Sequence, residues 1–166
     1  MCSTRTRAVE KRSILLVLFL CAVGGPSGAA ALKPLDTLRL FLQADGRGDR
    51  LRSVNWHRVA PLISWSLEPA WDHVTLVRGT EVGTVRYDGS GAEIDVIYTV
   101  SGEIHAGAWR AQPRLETKRF LLLRDEASGM WKILGPPPVP HIFESGVDKD
   151  ELAASLGPEK STFLRY

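Results

Sequence analysis

Residues 71–142 constrain the fold more than any other part of the chain, because almost all of this stretch has the residue pattern of β-strands. Apolar and β-branched residues alternate with polar ones, and turn signals containing glycine divide the alternating segments. The predicted strand segments are residues 74–77 (ending at a turn at Gly79), 82–87, 93–100, 117–124 and 130–134, and the pattern of the central segment continues after Gly102 through Ile104 towards Trp109. Strands joined by such short turns pair as an antiparallel meander.

Residues with helical spacing precede the strands. The first predicted helix begins at Pro34, which suits a first helical position, and ends near Gly46. Its apolar stripe consists of Leu35, Leu38, Phe41 and Leu42. A second helix is expected between Asp49, as its N-cap, and Pro61, with a weaker apolar face formed by Leu51, Val54 and Val59. The sequence therefore predicts an α+β fold in which a curved antiparallel β-sheet meander packs against N-terminal helices.

The chain after the strands contains a proline-rich segment, residues 135–141, which is expected to be extended because proline cannot donate to a β-ladder. Asp148, followed three residues later by Glu151, has the form of a helix cap and predicts a short C-terminal helix that stops at Gly157. Residues 161–166 are interpreted as a tail.

Residues 1–31 have the composition of a cleavable secretory signal peptide. Four basic residues precede an apolar run at 14–23, and small residues follow it. This run is well short of the roughly 20 residues that a membrane-spanning helix needs. The mature protein is therefore expected to be a single domain, residues 32–166, that is secreted or periplasmic and has no membrane association.

Removal of the signal peptide changes the chemistry that the chain offers. Cys2 and Cys21 both lie within it, so the mature domain is expected to have no thiol catalysis, thiolate metal site or disulfide. The chain has 21 Lys and Arg against 19 Asp and Glu; four of the basic and one of the acidic residues leave with the signal, which makes 17 against 18, a net charge of −1. Nucleic acid is therefore not an expected partner.

The connection between the predicted helices and strands, residues 62–71, is irregular and contains Trp65, Pro69 and Trp71. Such a connection is expected to pack over another part of the molecule, either the end of the core or the mouth of a pocket.

The strand segments differ in which of their faces are apolar. One face of the central strand, expected to pack against the helices, carries Ile94, Val96, Tyr98, Val100 and Ile104. The opposite face carries Asp95, Ile97, Thr99, Glu103 and His105. In the next strand both faces are apolar, with Phe120 and Leu122 on one and Leu121 and Leu123 on the other. This pattern fits a sheet centre or a sheet face used for self-association, so a homodimer through the sheet face is one expected assembly.

The apolar strand at residues 120–124, the acidic turn ending at Gly129 and the strand Trp131-Lys132-Ile133 follow helices and long meander strands. This order resembles the nuclear transport factor 2-like superfamily, which includes ketosteroid isomerase-like and polyketide cyclase-like enzymes as well as small exported domains. The resemblance covers residues 35–142. It implies a cone whose concave sheet and helices enclose a pocket, and dimers formed through the outer sheet face. The residues expected to line that pocket are Trp71, Val96, Tyr98, Phe120 and Trp131.

Three residues are candidates for general acid/base catalysis: Tyr98, Asp95 and His105. The Tyr98 phenol could donate to a ligand carbonyl or a developing oxyanion; the alternative is a core tyrosine with a bonded hydroxyl. Asp95 could act as a base if apolar neighbours raised its pKa; the alternative is a solvent-facing carboxylate.

A metal site is a weaker possibility at the end of the central strand. Glu103 and His105 lie two residues apart, and Asp72 and His73 could add ligands. The spacing of these residues is too scattered for a metal motif, so a surface ion pair is the preferred interpretation. Neither a metal nor a cofactor is expected.

The sequence favours an exported, non-catalytic domain that binds a small apolar ligand or a protein partner. The alternative is a pocket enzyme of isomerase, dehydratase or cyclase type. A dry cavity with convergent polar groups at Tyr98 would favour the enzyme, and a filled cone with an apolar outer face would favour binding.

Overall fold

The computed structural model describes residues 32–157, which form an α+β structure around one five-stranded, mostly antiparallel sheet that curls into a half-barrel. The strands are β1 (His73–Asp88), β2 (Gly91–His105), β3 (Ala108–Arg124), β4 (Trp131–Ile133) and β5 (His141–Phe143), in the spatial order β4-β3-β2-β1-β5. The helices are α1 (Pro34–Gly46), α2 (Trp56–Val59) and α3 (Lys149–Ser155). The predicted signal peptide and tail lie outside the described residues. No helix within residues 32–157 is long and apolar enough to span a membrane.

Strands β1, β2 and β3 form an antiparallel meander, as predicted, but the chain turns at Ala106 and Gly107, where the strand pattern was expected to continue. Two-residue turns join them, and positive φ angles occur at Gly89 (55°), Ala106 (48°) and Gly107 (79°). Turns of this kind match the right-handed twist of the flanking strands. The predicted turn at Gly79 is wrong: β1 continues through this residue, and a register shift against β2 marks an irregularity of the β-bulge kind.

The two outermost strands are short. β4 pairs antiparallel with the end of β3, as the predicted turn at residues 125–129 requires. β5 pairs in parallel with β1, with His141 opposite Thr75. This strand was not predicted, because three residues are too few to show a period-two pattern.

The helical predictions have mixed outcomes. The first is confirmed by α1, which buries Leu38, Phe41 and Leu42. The last is confirmed by α3, where the Asp148 carboxylate accepts hydrogen bonds from two backbone N–H groups of the first turn. The second is wrong: residues 49–62 form short 3₁₀ turns and the four-residue α2, and Val54 is exposed. The Asp49 carboxylate bonds to neighbouring side chains and does not cap a helix there.

The buried apolar residues form two clusters. The larger lies on the sheet face that packs against α1, here called the inner face, and includes Phe41, Ile94, Val96, Tyr98, Val100 and Phe120. The smaller includes Val74, Leu76, Ile104, Ile142, Ala153 and Leu156, so α3 belongs to it. The sheet face opposite the inner face, around Leu121 and Leu123, is here called the outer face.

A second irregularity explains why Ile104 belongs to the smaller cluster. Against β1, Ser101 is an extra residue, because Val100 and Gly102 pair with the adjacent residues Val77 and Leu76. Against β3 the shift has the opposite sense, with two residues of β3 opposite Ser101. Ser101 is buried and its hydroxyl donates to the Leu76 carbonyl (3.1 Å). An extra residue reverses the alternation of side chains between the two faces. The prediction that Ile104 shares the face of Val100 is therefore wrong.

Candidate functional site

Three charged side chains meet on the inner face, and Arg50 is the centre of the group. Its side chain is fully buried and donates from Nη1 to Asp45 Oδ1 (3.1 Å), from Nε to Glu68 Oε1 (2.9 Å) and from Nη2 to Glu68 Oε2 (3.0 Å). Nη2 also donates to the Pro138 carbonyl (2.8 Å). Arg50 therefore joins the end of α1, the connection at residues 62–71 and the proline-rich segment.

The Glu68 carboxylate also holds two tryptophans. The indole N–H of Trp65 donates to Oε1 and that of Trp71 to Oε2, each at 2.9 Å. The Arg50 guanidinium lies 5.5 Å from the ring centroid of Phe41, 5.9 Å from Trp65 and 5.4 Å from Trp71. These are cation–π distances, and removal of water strengthens such contacts.

The charges in this group are costly to bury. Burial raises the pKa of Asp45 to about 6, although Arg50 and the backbone N–H of His141 act to lower it. Removing one member of a buried ion pair typically costs about 3–5 kcal/mol, because an uncompensated charge remains. Strongly shifted pKa values of this kind cluster at functional sites, which makes this group a candidate site.

His141, the first residue of β5, lies beside this network. Its backbone N–H donates to Asp45 Oδ2 (3.0 Å) and its ring Nδ1–H donates to the Val139 carbonyl (2.8 Å). The ring stacks on Tyr98 with centroids 4.0 Å apart. Burial lowers the pKa of His141 to about 4, against the opposing effect of Glu116, so the imidazole is neutral at pH 7. Burial also raises the pKa of Tyr98, so the phenol keeps its proton.

Two polar atoms of this stack have no hydrogen-bond partner among the described residues: the Tyr98 hydroxyl and His141 Nε2. Tyr98 is 1% exposed and His141 is 2% exposed. Glu116 Oε1 lies 3.6 Å from Nε2, which is too long for a hydrogen bond. Because Nδ1 carries the ring proton, the stack offers one donor and one acceptor.

A row of ion pairs continues from the stack along the inner face. Burial raises the pKa of Glu116, but Lys118, His141 and Arg114 outweigh burial and lower it overall. Arg114 also binds Glu103, which was predicted to lie on the opposite face. That prediction is wrong, because the extra residue at position 101 reverses the alternation.

The structure does not bring the three predicted catalytic residues together. Tyr98 is buried on the inner face. Asp95 lies on the outer face, where Arg119 Nε donates to it (2.8 Å) and lowers its pKa, the opposite of the rise that a base role needs. His105 is at the exposed end of β2, with Nε2 3.9 Å from Asp72 Oδ2.

The five predicted pocket residues all belong to packed regions. Val96, Tyr98 and Phe120 are core residues of the larger cluster, and Trp131 packs against it. Trp71 donates to Glu68, as described above. A cleft of about 240 Å³ lies elsewhere, between the turn after α1 and α3, and none of the five lines it.

Among residues 32–157, no three His, Asp or Glu side chains are grouped as metal ligands. The rings of His73 and His105 do approach each other, with centroids 5.5 Å apart, and His73 Nε2 lies 3.3 Å from Glu103 Oε2. This arrangement is a set of paired contacts and not a coordination sphere.

No protein-family model, curated protein or solved structure matches this chain. The resemblance to the nuclear transport factor 2-like superfamily therefore stays a prediction. The assignment of the candidate site is therefore based on the geometry of its residues alone.

Sequence reasoning missed four members of this site: Asp45, Arg50, Glu68 and His141. One signal was present, because Glu68 lies three residues from both Trp65 and Trp71, inside a connection already expected to pack over something. Asp45 and Arg50 lie at the end of α1 and just after it, and His141 follows the proline-rich segment; at such positions a charged or polar residue usually faces water.

Proposed function

We propose that the mature protein is an exported, non-catalytic binding domain that pairs with a second copy of itself through the outer face of its sheet. The observation that carries this proposal is a row of exposed leucines on β3: Leu115 (73% exposed), Leu121 (45%) and Leu123 (43%). Export is proposed from the composition of residues 1–31 alone.

The leucines lie on one face because they occupy alternate positions of β3. Leu121 is opposite Glu93 on β2, and Leu123 is opposite Gly91, whereas Phe120 and Leu122 between them are buried. Single exposed leucines are common, but Leu121 and Leu123 are neighbours on one face and form an apolar patch that association removes from water.

The charged residues beside this patch favour a second copy as the partner. Arg119 binds Asp95 at 2.8 Å and lies 3.9 Å from Glu93, and Arg86 lies 3.8 Å from Asp95. Two cations and two anions make the group neutral. In a two-fold assembly each copy presents the same patch, so the arginines of one copy can face the carboxylates of the other.

The placement of the predicted catalytic residues supports binding over catalysis. A general acid or base must be within hydrogen-bond reach of the substrate, and the Tyr98 hydroxyl is closed off while Asp95 and His105 lie elsewhere.

Leu121→Lys tests the interface, because it places a charge in the patch without changing a core residue. We expect the variant, as a protein of residues 32–166, to be a monomer with near-wild-type thermal stability. Leu67→Lys is the matched control: it changes an exposed leucine outside the sheet and should leave the dimer intact. Sedimentation velocity gives the oligomeric state. If the Leu121→Lys variant were still a dimer, the interface would lie outside this patch.

A second candidate function is an acid/base enzyme, favoured by the neutral imidazole that stacks on the Tyr98 phenol. Acid/base isomerases, dehydratases and cyclases that act on carbonyl compounds begin by removing a proton next to the carbonyl. Deuterium exchange into uncharged ketones, followed by NMR, tests this candidate. Exchange that is lost in both Tyr98→Phe and His141→Phe would support it, and no exchange above the buffer rate would count against it.

A further inference from the structure

We propose that the Tyr98–His141 stack is a closed binding site for an uncharged, largely apolar molecule that carries one hydroxyl group, and that residues 64–72 close it. We call these residues the covering segment. The site lies on the inner face of the sheet, so this inference is independent of the outer-face dimer.

The covering segment crosses the inner face. It begins at Ser64, whose N–H donates to the Ile133 carbonyl of β4 (2.9 Å), and it ends before His73, where β1 starts. Strands β3 and β2 lie between β4 and β1 in the sheet, so the segment passes over them. Trp65 packs edge-on against Phe41 of α1 (6.2 Å between centroids), which places the segment on the side of the larger cluster.

One carboxylate holds the middle of this segment. Glu68 accepts hydrogen bonds from Arg50, Trp65 and Trp71, whereas Leu67 and the residues on either side of Glu68 are exposed or only partly buried. The segment has no regular secondary structure that would hold it otherwise. Loss of the Glu68 contacts should therefore release it locally while the sheet stays folded.

The same contacts lead directly to the stack. Arg50 binds Asp45, and Asp45 accepts the backbone N–H of His141. Release of Glu68 therefore disturbs the group that positions His141 against Tyr98, and it uncovers the inner face above them.

The chemistry of the stack defines the ligand. The Tyr98 hydroxyl is a donor and His141 Nε2 is an acceptor, and a single ligand hydroxyl can satisfy both. Val96 and Val100 flank Tyr98 on the same face of β2 and offer the ligand apolar contacts. The β3 residues opposite them, Lys118, Glu116 and Arg114, are charged and are paired with one another. The nearby charge of Arg50 is already paired with two carboxylates, which leaves no unpaired cation there for an anionic ligand.

The test uses 1-naphthol as the probe and naphthalene as its counterpart without a hydroxyl, each titrated into residues 32–166 and followed by protein NMR. We expect wild type to bind 1-naphthol about tenfold more tightly than naphthalene, the difference that one or two net hydrogen bonds supply. Tyr98→Phe should reduce this preference at least threefold. Equal affinity for the two probes, or no binding of either to wild type and to the released variant described next, would overturn the site.

Glu68→Gln tests the covering segment. The variant keeps the side-chain shape but presents N–H groups to Arg50, so the closed state is disfavoured. We expect tighter 1-naphthol binding, by about fivefold or more, because apparent affinity scales with the fraction of open molecules. Acrylamide quenching of tryptophan fluorescence should rise in the same variant with an unchanged far-UV CD spectrum. Glu126→Gln, an exposed change outside the site, should alter neither quantity.

Hydrogen exchange of wild type keeps the inference testable if Glu68→Gln fails to fold. Amides of residues 64–72 should exchange at least tenfold faster than those of β2, and 1-naphthol should slow them. Exchange of the covering segment at the rate of β2, or a Glu68→Gln protein with unchanged affinity for 1-naphthol, would overturn the closure. A wild-type monomer that still binds 1-naphthol would count against the proposed dimer alone.

Discussion

Asp45 and His141 are buried side by side, and burial moves their pKa values in opposite directions. The pKa of His141 falls from 6.5 to about 4, and that of Asp45 rises from 3.8 to about 6. The contribution of His141 to stability is complete above about pH 6.5 and is lost as the pH falls through 4. The contribution of Asp45 is complete below about pH 3.8 and is lost as the pH rises through 6. Each amounts to about 3 kcal/mol, so together they nearly cancel.

His141→Phe should expose this compensation. The substitution keeps a ring against Tyr98 and removes the titrating imidazole. Relative to wild type, the variant should lose about 2–3 kcal/mol of unfolding free energy as the pH rises from about 4.5 to 6.5, because the Asp45 contribution is no longer offset. Urea unfolding at several pH values measures the difference. His57→Phe, a change on the exposed surface, is the control, and parallel curves for His141→Phe and wild type would contradict the account.

Single residues could be predicted from the sequence only where the information is local. The period-two pattern of β2 correctly placed Tyr98 on a buried face. The partners of the buried charges are distant in the chain: Arg50 and Glu68 are 18 residues apart, and Asp45 and His141 are 96 apart. No local pattern encodes those pairings.

At the scale of elements, the irregularity in β2 depends on the lack of a side chain at Gly102. A Cβ added there would lie 2.2 Å from the Arg110 carbonyl oxygen and 2.4 Å from the Trp109 ring. We expect Gly102→Ala to cost about 2–4 kcal/mol of unfolding free energy, in the range of overpacked sites with backbone strain. Gly79→Ala is the matched control in β1, because nothing lies within 4 Å of its added Cβ. If Gly102→Ala and Gly79→Ala lost equal free energies of unfolding in urea, the close approach of Arg110 and Trp109 to Gly102 would not be what excludes a side chain there.

The cap of α3 gives a second prediction for an element. The Asp148 carboxylate accepts from the N–H groups of Asp150 (2.9 Å) and Glu151 (3.1 Å). Asp148→Ala should cost about 1 kcal/mol and speed amide exchange in α3, because two donors lose their acceptor. Asp150→Ala changes a carboxylate in the first turn of α3 that makes no capping bond, so it should cost less unfolding free energy. A larger effect of Asp150→Ala would contradict the capping assignment.

The elements that the sequence predicted well are those with strong periodicity or capping. α1 and α3 were predicted from apolar spacing and from the Asp148 cap. The second helix was not formed, because its apolar face was weak and Asp49 bonds to Asn55 and not to a helix N-terminus. The alternation of β2 was assigned correctly up to Val100 and wrongly beyond it, because one extra residue changes the face of every residue that follows.

At the scale of the whole molecule, helices followed by a meander were sufficient to predict an α+β fold. The parallel β5 was missed, although it brings the proline-rich segment and His141 to the inner face. In the sequence, both faces of residues 120–123 are apolar. In the structure, Phe120 and Leu122 are buried, whereas Leu121 and Leu123 are exposed. The exposed pair is the basis of the proposed assembly.

Sedimentation equilibrium of residues 32–166 tests the proposed assembly most directly. A concentration series from the low micromolar range to near millimolar should show the mass rising from that of one chain to that of two. The association should weaken at high salt, because the exposed charges of the outer face are partly screened. A protein that has the mass of one chain throughout the series would contradict the outer-face dimer.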